Sequence, residues 1–440
     1  MRRLLPALLL LSFAGILPAH AQTTPPIADI TLGASTEGRP ITAVRIGTGA
    51  RKFVLVGNTH GGPEANTYEL MLQLIAYFRE HPSEVPPDLS FYLIPTVNPD
   101  GLALDSRFNA RQVDLNRNMD TAIDRCIDND WQHLVSGAYG VISDTGGPFP
   151  ESEVESRLVR DFLLDANAVI FFHSNAGVVF PACQHPPSTL LAQVFADGAG
   201  YDFIPVWDRY PITGGMHDWA GGLGIAAITP ELISGDLPEL EQNLRGVQAV
   251  LGEAQGLIPE FEVRDIGGVP VPPVIWRAWR AWGGERVWGL PLGPPQADGP
   301  RGIQQLFENG LLHYDPDRSP TTFAVQVGLL GREWLGGRVV PPETPGEGRF
   351  FSETGHDISG LFAEFWEIYG GLPIFGLPLT GEEPGMDPAG LPVITQTFER
   401  AQLMRPSGAE SIAAIRLRPL GRLRWAQADA RTPASPVQPR

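Results

Sequence analysis

His60-Gly61-Gly62-Pro63-Glu64 follows the apolar run Phe53-Val54-Leu55-Val56-Gly57 and precedes Tyr68-Glu69-Leu70-Met71-Leu72-Gln73-Leu74-Ile75. The run predicts a buried strand and the later segment a helix. A histidine and a carboxylate then stand at a strand exit, where open α/β sheets carry their ligands. A second histidine, His173, ends the apolar run Ala168-Val169-Ile170-Phe171-Phe172, and Glu231 follows Ile225-Ala226-Ala227-Ile228. Two imidazoles and one carboxylate with a fourth position open to water form a common catalytic zinc set. His60, Glu64 and His173 are the candidates for that set, and Glu231 for the base acting on the water. Any one of these residues alone has an ordinary structural reading; their joint placement at strand ends is the signal.

Further strand-like runs lie at 90–97 and 224–229, beside those at 53–57 and 168–173. Helix-like segments at 66–81, 151–165, 187–198 and 237–254 alternate with them. This order predicts an α/β domain over 22–257, with a mainly parallel mixed sheet flanked by helices. A Pro/Gly-rich stretch at 258–273 reads as a linker. Beyond it two segments resemble each other. Trp282-Gly283-Gly284, Trp288-Gly289-Leu290-Pro291-Leu292 and Gln305-Leu306-Phe307-Glu308 return as Tyr369-Gly370-Gly371, Phe375-Gly376-Leu377-Pro378-Leu379 and Gln396-Thr397-Phe398-Glu399. A two-repeat accessory domain, small and rich in aromatics, Gly and Pro, is expected over 274–425, and a disordered tail over 426–440.

The 440 residues carry 50 acidic and 32 basic side chains, a net charge of −18. With no basic cluster, nucleic acid is excluded as a partner. Arg2-Arg3, the apolar stretch Leu4 to Leu17 and Ala19-His20-Ala21 read as a secretory signal over 1–21, with the mature chain starting near Gln22. The apolar stretch is too short for a membrane span. The expectation is a secreted or cell-surface protein without a transmembrane segment once the signal is removed; an uncleaved anchor is the alternative. Cys126 and Cys183 are the two cysteines, and in an oxidising compartment a sole pair is expected to join. Two separate buried thiols are the other reading.

Residues 50–235 resemble the zinc carboxypeptidases of the carboxypeptidase A type. The resemblance rests on His60 and Glu64, Asn98-Pro99-Asp100-Gly101, Arg107-Phe108-Asn109-Ala110 with Val113-Asp114-Leu115-Asn116-Arg117-Asn118, His173-Ser174, Tyr210 with Gly214-Gly215 and Asp218-Trp219, and Thr229-Pro230-Glu231-Leu232. It implies one Zn2+ per chain on His60, Glu64 and His173, with Glu231 as general base and Arg107 stabilising the oxyanion. Asn116, Arg117 and Tyr210 would hold a free terminal carboxylate, for which a guanidinium is chemically suited. Asp114 would be structural or orient a ligand histidine. His217 would line the specificity pocket, and an imidazole of ordinary pKa there would turn cationic in mildly acid solution. The family pattern is His-x-x-Glu; here Gly61-Gly62-Pro63 adds one residue, which a glycine turn can absorb.

The C-terminal segments weakly resemble the Leu-Gly-Phe-Pro-type repeats of exported, wall-associated proteins. Trp276, Trp279, Trp282, Trp288 and Trp366 suggest contact with a wall glycan, although a small domain's own core is the favoured reading of its aromatics. The leading functional reading is an exported carboxypeptidase acting on a peptide substrate. Three alternatives stay open. One is a wall-peptide hydrolase cutting γ-D-glutamyl or D,L bonds on the same scaffold. Another is an acyl-amino-acid hydrolase, which the loop with Tyr210 and Trp219 argues against. The last is a non-enzymatic wall-binding protein with a degenerate peptidase domain.

Overall fold

The computed structural model describes residues 25–431 apart from 138–139, 261, 319–320 and 322. The signal stretch at 1–21 lies outside the described residues. The sheet begins with β1 (Ile27–Ala34), β2 (Pro40–Ile46), β3 (Arg51–Val56) and β4 (Leu89–Ile94). After a small hairpin, β5 (Val135–Ser136) and β6 (Ile142–Ser143), come β7 (Ala168–Phe171), β8 (His173–Ser174), β9 (Val178–Pro181), β10 (Asp202–Phe203) and β11 (Ala226–Leu232). The order across the sheet is β1-β2-β4-β3-β7-β11-β9-β10, with β8 also on β11. The central pairs β4/β3, β3/β7 and β7/β11 are parallel. Antiparallel pairs lie outside them. The expected mixed α/β fold with a mostly parallel sheet centre is present.

Helices cover both faces: α1 (Ala65–Glu80), the short α2 (Pro99–Ala103), α3 (Val154–Leu163), α4 (Pro186–Ala199), α5 (Met216–Gly222), α6 (Leu240–Gly252) and α7 (Ala254–Leu257). Strand alternation divides the core. Phe53, Leu55, Ile170 and Ile228 meet Leu74 and Phe78 of α1, Phe195 of α4 and Val250 of α6. Val54, Val56, Val169, Phe171 and Ala227 face Phe162 of α3 and Trp219 of α5. Central strands buried on both faces read as unbroken apolar runs.

The second apolar face continues into the C-terminal part. The stretch expected to be a linker holds a hairpin instead, β12 (Arg264–Ile266) and β13 (Val269–Val271). Its two-residue turn is Gly267-Gly268, both at positive φ (62° and 85°), as the favoured hairpin turn requires. Next come α8 (Pro273–Ala281), α9 (Gly284–Trp288), β14 (Gln296–Asp298), β15 (Gly302–Leu306), β16 (Leu311–Tyr314), β17 (Val325–Val327) and α10 (Leu330–Leu335). The same series of elements returns as β18 (Arg349–Phe351), β19 (His356–Ile358), α11 (Gly360–Ile368), α12 (Gly371–Phe375), β20 (Glu383–Met386), β21 (Pro392–Thr397), β22 (Gln402–Pro406), β23 (Arg416–Leu417) and α13 (Leu420–Arg431). Equivalent bonds recur as well. Trp279 Nε1 donates to Gly289 O at 2.9 Å and Trp366 Nε1 to Gly376 O at 3.3 Å.

The last helix of each half is exchanged. Arg332 N–H of α10 donates to Glu399 O in the second half, and Arg422 N–H of α13 to Glu308 O in the first. Arg332 pairs with Glu399, and Arg422 with Glu308. Because α13 runs to Arg431, residues 426–431 are helical, contrary to the tail expected there; the stretch is rich in Ala, Gln and Arg, which favour helix.

Trp279, Trp282, Trp288 and Trp366 are buried, and Trp276 is half-buried. Four of the five tryptophans therefore belong to the core. Arg277 of α8 is also buried and donates to the backbone oxygens of Leu164, Ala166, Leu223 and Gly224, which fastens the C-terminal part to the main sheet.

Candidate active site

Three neighbouring strands, β3, β7 and β11, end on one side of the sheet, and the candidate residues follow them. After β3 the chain turns through Asn58, at φ 48°. Asn58 N–H donates to Thr67 Oγ1 at 2.9 Å, and its Nδ2 to Gly61 O at 2.6 Å and Glu64 O at 3.2 Å. The turn is pressed against the segment after α2. A Cβ on Gly61 would stand 2.0 Å from Ser106 O, and one on Gly62 2.5 Å from Asp105 Cα. Only glycine fits at these positions. Glu64 N–H closes the loop onto His60 O at 3.2 Å. The additional residue between His60 and Glu64 is thus taken up in a tight turn, and the two side chains still converge.

Glu64 Oε1 lies 2.6 Å from His60 Nδ1. His173 Nδ1 is 3.1 Å from His60 Nδ1 and 3.0 Å from Glu64 Oε2. All three side chains are buried, and one ligand atom from each falls within 4.8 Å of the others. Electron-pair donors brought this close and kept from water need a shared cation or protons between them. The set of two imidazoles and a carboxylate suits zinc.

The surroundings hold these side chains in place. His60 Nε2, on the far edge of the ring, is 3.1 Å from Asp114 Oδ1. This is the outer-shell carboxylate contact that steadies a ligand histidine. Asp114 also accepts from Arg107 Nε at 3.0 Å and from Asn116 N–H at 3.0 Å. Burial raises the Asp114 pKa, but Arg107 and His60 outweigh it and hold the group well below the usual carboxylate range. Glu64 behaves alike: burial opposes ionisation, and His60 with His173 overcomes it. Ser174 N–H points at Glu64 Oε2, 3.3 Å away.

Glu231 is the strand partner of His173 in the parallel β11/β8 pairing. Burial pushes its pKa up to about 7; Glu64 adds to the rise and His173 opposes it. A carboxyl near 7 is poised to take and return a proton. Arg107, one-third exposed, reaches His60 Nε2 with Nη2 at 3.0 Å and Glu64 with Nη1 at 3.5 Å. Asn116 places Nδ2 3.4 Å from His173 Nε2, and its Oδ1 accepts from Met216 N–H at 2.9 Å. Arg117 is buried; its Nη1 donates to Asn116 O at 2.8 Å and its Nε has no partner among the described residues. Tyr210 is half-buried, its ring 5.2 Å from that of Trp207, and its hydroxyl senses Arg117 and Glu231.

His217, expected at the specificity pocket, sits at the head of a helix. It is buried at the start of α5, edge-on to Phe180 at 5.2 Å, with Nε2 3.4 Å from Asp218 Oδ1 and Nδ1 unpartnered among the described residues. Burial lowers its pKa from the ordinary value, and Arg117 and His173 add to the fall against Asp218. Its surroundings thus disfavour the charged imidazole. Cys126 and Cys183 form a disulfide, and Cys183 N–H donates to Asp218 Oδ1 at 2.8 Å.

Sequence reasoning missed the supports. Asn58 and Thr67 anchor the His60 turn, and Asn66 accepts from Ser174 Oγ at 3.0 Å. Asn129 O accepts from Gly214 N–H at 2.9 Å. Asn58 alone carried a local signal, as an Asn within the Gly57-Asn58-Thr59-His60 strand exit.

Several solved structures are similar to part of this chain. Bovine thrombin-activatable fibrinolysis inhibitor, solved with tick carboxypeptidase inhibitor, is 21% identical over 52% of this chain and 90% of its own, with a TM-score of 0.44. Murein-tripeptide amidase MpaA from Escherichia coli O157 is 22% identical over 52% and 93%, at 0.39. Carboxypeptidase A from Helicoverpa armigera is 20% identical over 52% and 69%, at 0.41. A search of curated proteins gives no match. Glu231, Tyr210 and His217 lie beyond the one segment with a family match. That segment, residues 17–192, contains His60, Glu64, Arg107, Asn116, Arg117 and His173 and matches the family model of the zinc carboxypeptidases.

Proposed function

We propose that this chain is an exported, zinc-dependent carboxypeptidase that hydrolyses the last bond of peptides with a free terminal carboxylate. The observation that carries the proposal is the meeting of His60, Glu64 and His173, with Glu231 paired beside His173 on the next strand. These three residues would hold one zinc ion. Bound there, zinc supplies a Lewis acid that acidifies water and polarises a carbonyl. Glu231 takes the proton from the attacking water and passes it to the leaving amine, a role suited to its raised pKa. Arg107, partly exposed beside the cluster, donates to the oxyanion as charge builds on it. Arg117 is a buried cation with an unused N–H, and with Asn116 and Tyr210 it anchors the substrate carboxylate. His217 lines the specificity pocket with a ring nitrogen that has no partner among the described residues, and burial disfavours its charged form.

Export through the signal at 1–21 agrees with the Cys126–Cys183 disulfide, a bond kept in oxidising compartments. No helix among the described residues is long and apolar enough to cross a membrane. We divide the chain into a catalytic part over 22–257 and an accessory part after it, the resemblance of the latter to wall-associated repeats being one of sequence. A glycan platform made of its tryptophans is disfavoured, because four of the five are buried.

The deciding experiment is metal analysis of the purified chain, with hydrolysis of free and amidated peptides measured before and after chelation. Zinc at one per chain and cleavage of free peptides only, lost on chelation, is the expected result. Activity that survives chelation, or equal cleavage of both peptides, overturns the proposal.

A further inference from the structure

A cleft of about 490 Å³ lies where the main α/β part meets α8, away from the histidine cluster. It falls within the range of small-ligand sites, which favour domain junctions. Its charged lining is Arg125, Arg264, Arg280 and Asp124. None of the three arginine side chains has a hydrogen bond or ion pair among the described residues, although the charge of Arg280 acts on Asp120. Asp124 is already engaged, accepting from Cys126 N–H at 2.6 Å and Asn129 Nδ2 at 2.8 Å. The Arg264 guanidinium lies over the Trp276 ring, 5.1 Å from its centre. His185 also lines the cleft, with Nδ1 2.7 Å from Ser188 Oγ. Burial pushes its pKa down to about 4, with Arg277 and Arg264 adding to the fall. Of these two cations Arg264 lines the cleft, and Arg277 lies buried behind it. Glu260 and Glu262 stand in the adjoining hollow, which shares Arg264 and bounds the positive region on that side.

We propose that this cleft binds a ligand bearing several oxyanion groups, such as phosphates or carboxylates repeated along a polymer. Arg125, Arg264 and Arg280 supply planar forks of N–H donors that no acceptor among the described residues engages. The protein as a whole, at −18, repels such ligands, so binding requires a local positive site. The cleft is separate from the proposed catalytic residues, and its occupancy does not depend on the reaction there.

The test is calorimetric titration of the full chain with short poly(glycerol phosphate) and, in a second arm, oligogalacturonate of equal charge, at about 0.15 M ionic strength. These two probes distinguish phosphate from carboxylate as the preferred group. Binding of at least one probe at one site per chain is expected. R125Q/R264Q alters two exposed side chains without hydrogen bonds and should weaken binding by about tenfold or more, while R280Q should weaken it less severely. An unchanged circular-dichroism spectrum and Tm in both variants verify the fold. No binding of either probe, or equal binding by parent and R125Q/R264Q, overturns the proposal.

Discussion

His60 and Asp114 are joined across the back of the histidine cluster, Nε2 to Oδ1 at 3.1 Å, while His60 Nδ1 faces Glu64. The carboxylate thereby fixes which ring nitrogen is free to bind a metal. Asp114→Asn should keep the fold and weaken zinc affinity by about 10–100-fold, the usual effect of removing such a partner. Competition with a graded chelator measures it; unchanged affinity would detach Asp114 from the metal site.

His173→Ala removes the ring nitrogen that lies within hydrogen-bond distance of both His60 and Glu64. The variant should lose bound zinc and turnover together. Tight, stoichiometric zinc in this variant, read by metal analysis, would exclude His173 as a ligand.

Glu231→Gln preserves shape and removes the proton acceptor. Zinc content should stay at the parent level while kcat falls by about 10²–10⁴-fold. A loss smaller than tenfold would take the general-base role from Glu231.

Arg117→Ala should raise KM for peptides with a free terminus far more than it alters the fold, since its Nε has no partner to lose. The comparison is between free and amidated peptides. If the variant keeps the parent's discrimination between them, Arg117 is not the anchor.

The lowered pKa of His217 predicts the pH behaviour of specificity. Its pKa is lowered, so protonation sets in only below the ordinary imidazole range. Between about pH 7.5 and 6 the preference for acidic over neutral terminal residues should hold steady. A panel of peptides differing in the last residue checks this; a marked gain for acidic residues over that interval would show that the imidazole charges in the pocket.

The candidate site was legible because the strands before it carry buried apolar runs. Phe53–Val56 of β3, Ala168–Phe171 of β7 and Ala226–Ile228 of β11 are such runs, and a His or Glu follows each of them. The hairpin Ile27–Ile46 was not legible: β1 is mostly half-buried or exposed with no clear apolar side, and in β2 the buried Ile41, Ala43, Val44 and Ile46 are broken up by Thr42 and Arg45. The two-residue β10 and the seven-residue α5, with two glycines, are too short for periodicity to register. In β12 and β13 the Gly and Pro that suggest a linker make the turn and its flanks. The partners of Asp114 and Arg117 depend on folding distant segments together, which local pattern does not encode.

The crossed placement of α10 and α13 works like a pair of clasped hands. α10 is fastened to Glu399 and α13 to Glu308, so pulling either helix away loosens a stretch of chain that the other part of the sequence supplies.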